Sequence, residues 1–271
     1  MTSTLTARWP KFDFAKTEVV WSGNPECAMV WNAMSTSAPM VEPWLNKVML
    51  QARKSIDPEN IAVREDIREF VRQESNHYKM HIEYNRELAK AGFVAPPEIG
   101  EKLKKELDDI LQNRSLAFNA AYCAGFENFT LFTSRFMFEH AQDLFQGGDL
   151  GGADLWLWHM AEEYEHRSVC HDVFKTVSGN YFMRIYGLFY SYFHLMAHTG
   201  SIVKAFMEKY REGMSDAERA ESVKREKAYI RRYSLFFYPR MLKILIPFYN
   251  PGKETAPRLE QALAHYSALS A

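Results

Sequence analysis

The sequence predicts an all-α bundle, on three observations. Apolar residues recur at helical spacing from about residue 39 onward. No strand-like alternation appears after residue 35. Two apolar stripes, over about 67–88 and 156–177, are each interrupted by glutamate and histidine where leucine would be stable. The chain has 271 residues, 47% of them apolar, which suffices for one large core.

The elements follow in order. Residues 1–35 lack helical periodicity and contain Pro10, Gly23 and Pro25, so an irregular arm packed on the core is expected. Residues 36–271 then form a single helical domain, with core helices over about 39–178 and an aromatic extension over about 181–250. A short first helix is expected over about 39–55. Asp57-Pro58 reads as an N-cap followed by proline at the first helical position, starting a second helix that ends at Gly92. Pro96-Pro97 opens the next, running to about 146 with a break near Asn113. Gly147-Gly148 and Gly151-Gly152 form a loop. A fourth helix covers about 153–177, and a very aromatic fifth runs to about 211. Ser215-Asp216-Ala217-Glu218 is a capping box for a sixth, ended by Pro247 and Pro251-Gly252. A short helix closes the chain.

Composition excludes several classes. The formal net charge is −1, and the charges are mixed in sign, so no nucleic-acid partner is expected. Cys27, Cys123 and Cys170 are odd in number and form no CxxC pair. That argues against a disulfide framework or thiolate site and for a reducing compartment. Residues 1–10 carry no apolar h-region. The longest apolar stretch, 182–199, is interrupted by Arg184 and two histidines. No signal peptide and no transmembrane span are expected, and the location expected is cytoplasmic. A homodimer is left open.

The chemistry-bearing residues lie on the interrupted stripes. At about 100° per residue, Glu74 and His81 nearly overlie each other, with His77 about 60° away. His159, Glu163 and His166 share a face of the fourth helix in the same way. Glu163 is preferred to Glu162 as the inward carboxylate, with Glu162 the fallback. A lone buried carboxylate costs several kcal/mol unless it is paired or bound to metal. Two inward Glu-x-x-His pairs therefore point to a metal centre. Di-iron bundles add one glutamate from each of two further helices. Glu127, flanked by small and apolar residues, and Glu42, beside Pro43, are the candidates. The expected metal set is Glu42, Glu74, His77, Glu127, His159, Glu163 and His166. His81, Glu162 and Asp172 are ligands or their hydrogen-bonded supports. Two iron ions suit these donors, with manganese or zinc as alternatives. The scaffold expected for such a centre is ferritin-like.

Other features read more plainly. Tyr190, Phe193 and His194 on the aromatic helix could wall an apolar substrate pocket. His194 and His198, four residues apart with no acid beside them in sequence, read as core or pocket histidines.

The ligand order, Glu-x-x-His, then Glu, then His-x-x-x-Glu-x-x-His, resembles that of histidine-rich di-iron oxygenases of the arylamine N-oxygenase type. The chain as a whole is similar to a bacterial family labelled "predicted metal-dependent hydrolase". The matching segments are Trp31-Asn32-Ala33-Met34-Ser35 leading to Pro39 and Glu42, Phe70-Val71-Arg72-Gln73-Glu74 with His77 and His81, and Trp158-His159 with Glu162, Glu163, Glu165 and His166. They are followed by Asp172-Val173-Phe174. Val41 and Ser37 depart from that pattern, as does the tail Phe248-Tyr249-Asn250-Pro251-Gly252. The leading expectation is an oxidoreductase that activates O₂ to oxidise a small apolar molecule. The alternatives are hydrolysis by a metal-bound hydroxide, and metal storage or buffering.

Overall fold

The computed structural model describes residues 5–148 and 151–270. Its elements are α1 (Pro25–Ser35), α2 (Ala38–Ser55), α3 (Ile61–Lys90), α4 (Pro97–Asn113), α5 (Leu116–His140), α6 (Gly152–Glu165), α7 (Val169–Val177), α8 (Tyr181–Tyr210), α9 (Asp216–Ile244) and α10 (Pro257–Leu269). The chain is all-α, and no strand occurs among the described residues.

The arm is shorter than expected. Residues 1–4 lie outside the described residues, and α1 already begins at Pro25. Asn24 Oδ1 accepts the amide of Cys27 at 2.9 Å, and proline occupies the first helical position. α1 escapes a periodicity reading because Cys27, Ala28, Met29, Trp31, Asn32 and Ala33 are all buried, leaving little polar face.

Three boundaries also move. Asp57 Oδ1 accepts the amide of Glu59 and forms a turn, while Asn60 caps α3 by accepting from Val63. Pro43 lies inside α2, so Glu42 sits within the first turns of an established helix. Residues 153–177 form two helices, because α6 stops at Glu165 with His166 as its C-cap and α7 restarts at Val169.

α5 runs through the middle and packs on α2, α6, α7, α8 and α9. Its crossing with α8 is close: a Cβ on Gly187 would stand 2.6 Å from Ala121, and one on Gly125 2.7 Å from Leu188 Cα. Small residues are a steric requirement there. α3 buries Ile67, Phe70 and Leu88 together with Glu74, His77 and His81. α2, α3, α5 and α6 thus enclose one polar interior, and α8 and α9 close over its apolar side. No helix among the described residues is long and apolar enough to cross a membrane.

Candidate metal centre

Glu42 of α2, Glu74, His77 and His81 of α3, Glu127 of α5, and His159, Glu162 and Glu163 of α6 converge with His166. None of them is more than 4% exposed. Glu74, His77, Glu163 and His166 each offer a donor atom within 4.8 Å of the others, and Glu42, His81 and His159 do the same beside them. Glu163 Oε1 joins the two groups, at 2.9 Å from His159 Nε2, 3.8 Å from His166 Nε2 and 3.9 Å from His77 Nδ1. Glu74 Oε1 lies 3.4 Å from His166 Nε2, and Glu127 Oε2 lies 3.3 Å from His166 Nδ1. Glu42 Oε1 lies 3.7 Å from His159 Nε2.

The histidine tautomers follow from one chain of hydrogen bonds. Asn85 Nδ2 donates to the Ser35 carbonyl at 3.0 Å, which orients the amide so that its Oδ1 accepts from Ser35 Oγ at 2.6 Å. Ser35 has then spent its only hydroxyl proton, so it accepts from His81 Nδ1 at 2.8 Å. Burial, then the neighbouring His159 and His77, hold His81 well below the usual histidine range, so it is neutral. Its bare Nε2 accepts from His159 Nδ1 at 2.7 Å. Burial first, and His77 next, push His159 down to about 4, so it too is neutral and presents a bare Nε2 to Glu163 and Glu42.

Glu163 itself is ionised. Burial raises it, but His166, His159 and His77 bring it down to about 2. With His159 neutral, the ring that keeps Glu163 charged is His77, which, against its own burial, Glu162 and Glu74 hold well above the usual histidine range. A lone pair therefore points at a carboxylate oxygen, an arrangement that a cation between them resolves. Burial, then Glu163, lifts Glu74 to about 7. Burial also lifts Glu127 and Glu42 well above the usual carboxylate range, helped first by Glu163 and by Glu74 respectively. Among the described residues, the ionisable groups paired with these four carboxylates are histidines. Both oxygens of Glu74 and of Glu127, Glu42 Oε2, Glu163 Oε2, His77 Nδ1 and both ring nitrogens of His166 are buried without a hydrogen-bond partner. So many orphaned oxygen and nitrogen donors, with no thiolate, fit divalent metal ions.

Glu162 is turned differently. Its Oε2 takes His77 Nε2 at 2.9 Å, while Oε1 takes Arg8 Nη1 at 3.1 Å and the Arg8 amide at 3.0 Å. That carboxylate orients His77 so that Nδ1 faces Glu74 and Glu163. Asp172 lies away from this network, where Lys175 and Asp66 are its charged neighbours. Arg8, Ser35 and Asn85 show no sign of these roles in the sequence: Arg8 lies in the N-terminal arm, Ser35 ends α1, and Asn85 stands one turn beyond His81 on α3 as an ordinary polar residue.

An apolar cavity of about 280 Å³ reaches Glu42, His159 and Glu163 between α1, α5, α8 and α9. Trp31, Met34, Phe129, Leu195 and Phe237 are among its walls. The expected wall residues Tyr190, Phe193 and His194 are not. Tyr192, Leu195, Met196 and Thr199 line it instead, because α8 presents its other face. Phe193 is 64% exposed, and Tyr190 packs edge-on to Phe118.

A family model described as "Predicted metal-dependent hydrolase" matches residues 6–255. Searches of curated proteins and of solved structures return no match. The family finding corrects the oxidative expectation: a metal-dependent hydrolase takes the place of the O₂-activating oxidoreductase, and nothing supports O₂ as a partner. The clustered histidines and glutamates agree with a metal-dependent enzyme. From the match over residues 6–255, the chain belongs to the predicted metal-dependent hydrolase family.

Proposed function

We propose that the chain is a two-metal hydrolase for a small ester or amide with an apolar acyl or aryl group. The observation that carries this reading is His159 Nε2, held bare by the Asn85–Ser35–His81 chain and aimed at Glu163 and Glu42. Glu42, Glu74, His77, Glu127, His159, Glu163 and His166 would hold the ions. Four carboxylates carry four negative charges, which two dications neutralise; a single dication would leave two buried charges uncompensated. Zinc, manganese and iron all suit oxygen and imidazole donors in such a buried, helix-borne set, which we read as a ferritin-like arrangement.

Bound dications supply an acidified water and polarise a carbonyl. The protein does the rest. The cavity walls take the apolar group of the substrate and exclude bulk water. Of the residues that would hold the ions, Glu42, His159 and Glu163 border that cavity, so a substrate seated there would meet the centre on their side. His81 and Glu162 keep His159 and His77 in one tautomer each.

Metal analysis together with hydrolysis of a series of p-nitrophenyl esters and anilides tests the reading. We expect about two dications per chain, and turnover that chelation abolishes and metal restores. Full metal loading with no hydrolysis of any ester or amide would overturn the hydrolase assignment. Unchanged loading in His159→Ala and Glu163→Gln would overturn the ligand set.

A further inference from the structure

We propose that Glu106, His194 and His198 form a second, peripheral site for a zinc-type dication. The sequence shows only two histidines at i and i+4. The fold supplies the missing acid from another helix. His194 Nε2 and His198 Nε2 of α8 converge on one oxygen of Glu106 of α4, Oε2, at 3.1 Å and 2.6 Å. One donor atom from each of the three residues lies within 4.8 Å of the others.

Two imidazoles one helical turn apart, joined by a carboxylate from a second helix, make a three-ligand set that leaves further positions to water. The second nitrogen of His194 is already engaged, because its Nδ1 lies 2.8 Å from Tyr122 Oη on α5. Outer hydrogen bonds of this kind fix a ligating imidazole and raise its basicity. Burial first, then the nearby Cys123, lift Tyr122 well above the usual tyrosine range, so its hydroxyl keeps its proton and can either donate or accept. With a dication at Nε2, His194 would carry its proton on Nδ1 and donate it to Tyr122 Oη. Lys102 Nζ stands 3.9 Å from the other carboxylate oxygen, Oε1. Its side chain is 68% exposed and free to swing into solvent.

The histidine side chains are 12% and 7% exposed, and that of Glu106 is 38% exposed. The ion therefore has an entry path from solvent and a desolvated seat. No residue is shared with the buried centre, so this site stands whether or not the hydrolase reading does. A dication here would cross-link α4 to α8, the helix that supplies Tyr192, Leu195 and Met196 to the cavity wall.

Equilibrium dialysis of the metal-loaded protein against zinc, with metal counted per chain, tests this directly. The wild type should hold one zinc more than H194Q, H198Q and E106Q. Cobalt bound in its place should give visible ligand-field bands that the variants lack. Micromolar zinc should raise the Tm of the wild type and not that of the variants. Circular dichroism and an unchanged count of buried ions show that each variant is folded. Equal zinc counts and equal zinc-induced Tm shifts in the wild type and all three variants would overturn the proposal and leave the cluster a hydrogen-bonded clamp.

Discussion

His81 Nε2 lies 2.7 Å from His159 Nδ1, and this contact decides which nitrogen of His159 faces Glu163. His81→Phe keeps the bulk and removes the acceptor, so His159 becomes free to take the opposite tautomer. Metal affinity should fall about 10- to 100-fold, the usual cost of losing such a support. Ser35→Ala should act in the same direction but less, because His81 itself remains. A chelator competition titration reads both. Affinity unchanged in His81→Phe would mean that the chain does not control the site.

Arg8→Ala should destabilise the fold and loosen the centre together. Arg8 donates to Glu162 and Glu165 and also bonds Ser267, so it ties the N-terminal arm to α6 and α10. Its removal leaves Glu162 buried with His77 and the backbone amide of residue 8 as partners and no guanidinium to balance its charge. Breaking a buried pair from one side costs about 3 kcal/mol. Urea unfolding measures that loss. The double variant Arg8→Ala with Glu162→Gln should recover part of it, because the uncompensated charge is gone. No recovery would show that Arg8 acts through packing alone.

Much of the buried cluster was legible because ligands on helices inherit the helix period. Glu74 and His77 sit on the stripe that contains Ile67 and Phe70, so their burial could be read before any contact was known. The break at His166 could not, since the turn after Glu165 contains neither glycine nor proline and α7 resumes within a few residues. α8 hid its orientation for the opposite reason. Its aromatic residues occur all round, so phase could not choose between Tyr190 and Tyr192 as wall residues. Arg8 and Ser35 act across long sequence separations, and Glu106 sits on an α4 face that reads as ordinary solvated charge. The helical class and the metal-dependent family follow from the fold and from the match over residues 6–255.

Glu74→Gln should change sign with metal. In the metal-free protein, Glu74 titrates at about 7, above its ordinary 4.5. A raised folded-state value means that the unfolded chain loses its proton first as pH rises. The stability contributed at low pH is therefore lost between about 4.5 and about 7. At pH 8 the ionised, buried Glu74 should cost the metal-free wild type about 3 kcal/mol relative to E74Q, a gap that closes near pH 4. In the loaded protein the order should reverse, because glutamine is the poorer ligand. Paired thermal melts across pH, with and without metal, check this. If E74Q is the less stable protein at pH 8 in both states, the cost assigned to the metal-free carboxylate is wrong.

The cavity makes the last prediction, one about substrate size. Phe129 stands on α5 two residues after Glu127 and lines the cavity, while Thr130 and Thr133 border the same space. Phe129→Ala removes a wall without touching a donor atom. Truncating a buried phenylalanine destabilises a core by about 3–5 kcal/mol, and by less where the space already opens to solvent. Activity should shift toward longer or bulkier acyl groups, with kcat/KM for short esters falling through KM while metal content stays constant. Leu195→Phe, from the opposite wall, should do the reverse and favour short acyl groups. Ester-chain profiles of the two variants should therefore move in opposite directions from the wild type. If both leave the profile unchanged at full metal loading, substrate does not enter by this cavity, and the apolar specificity assigned to it fails while the metal centre stands.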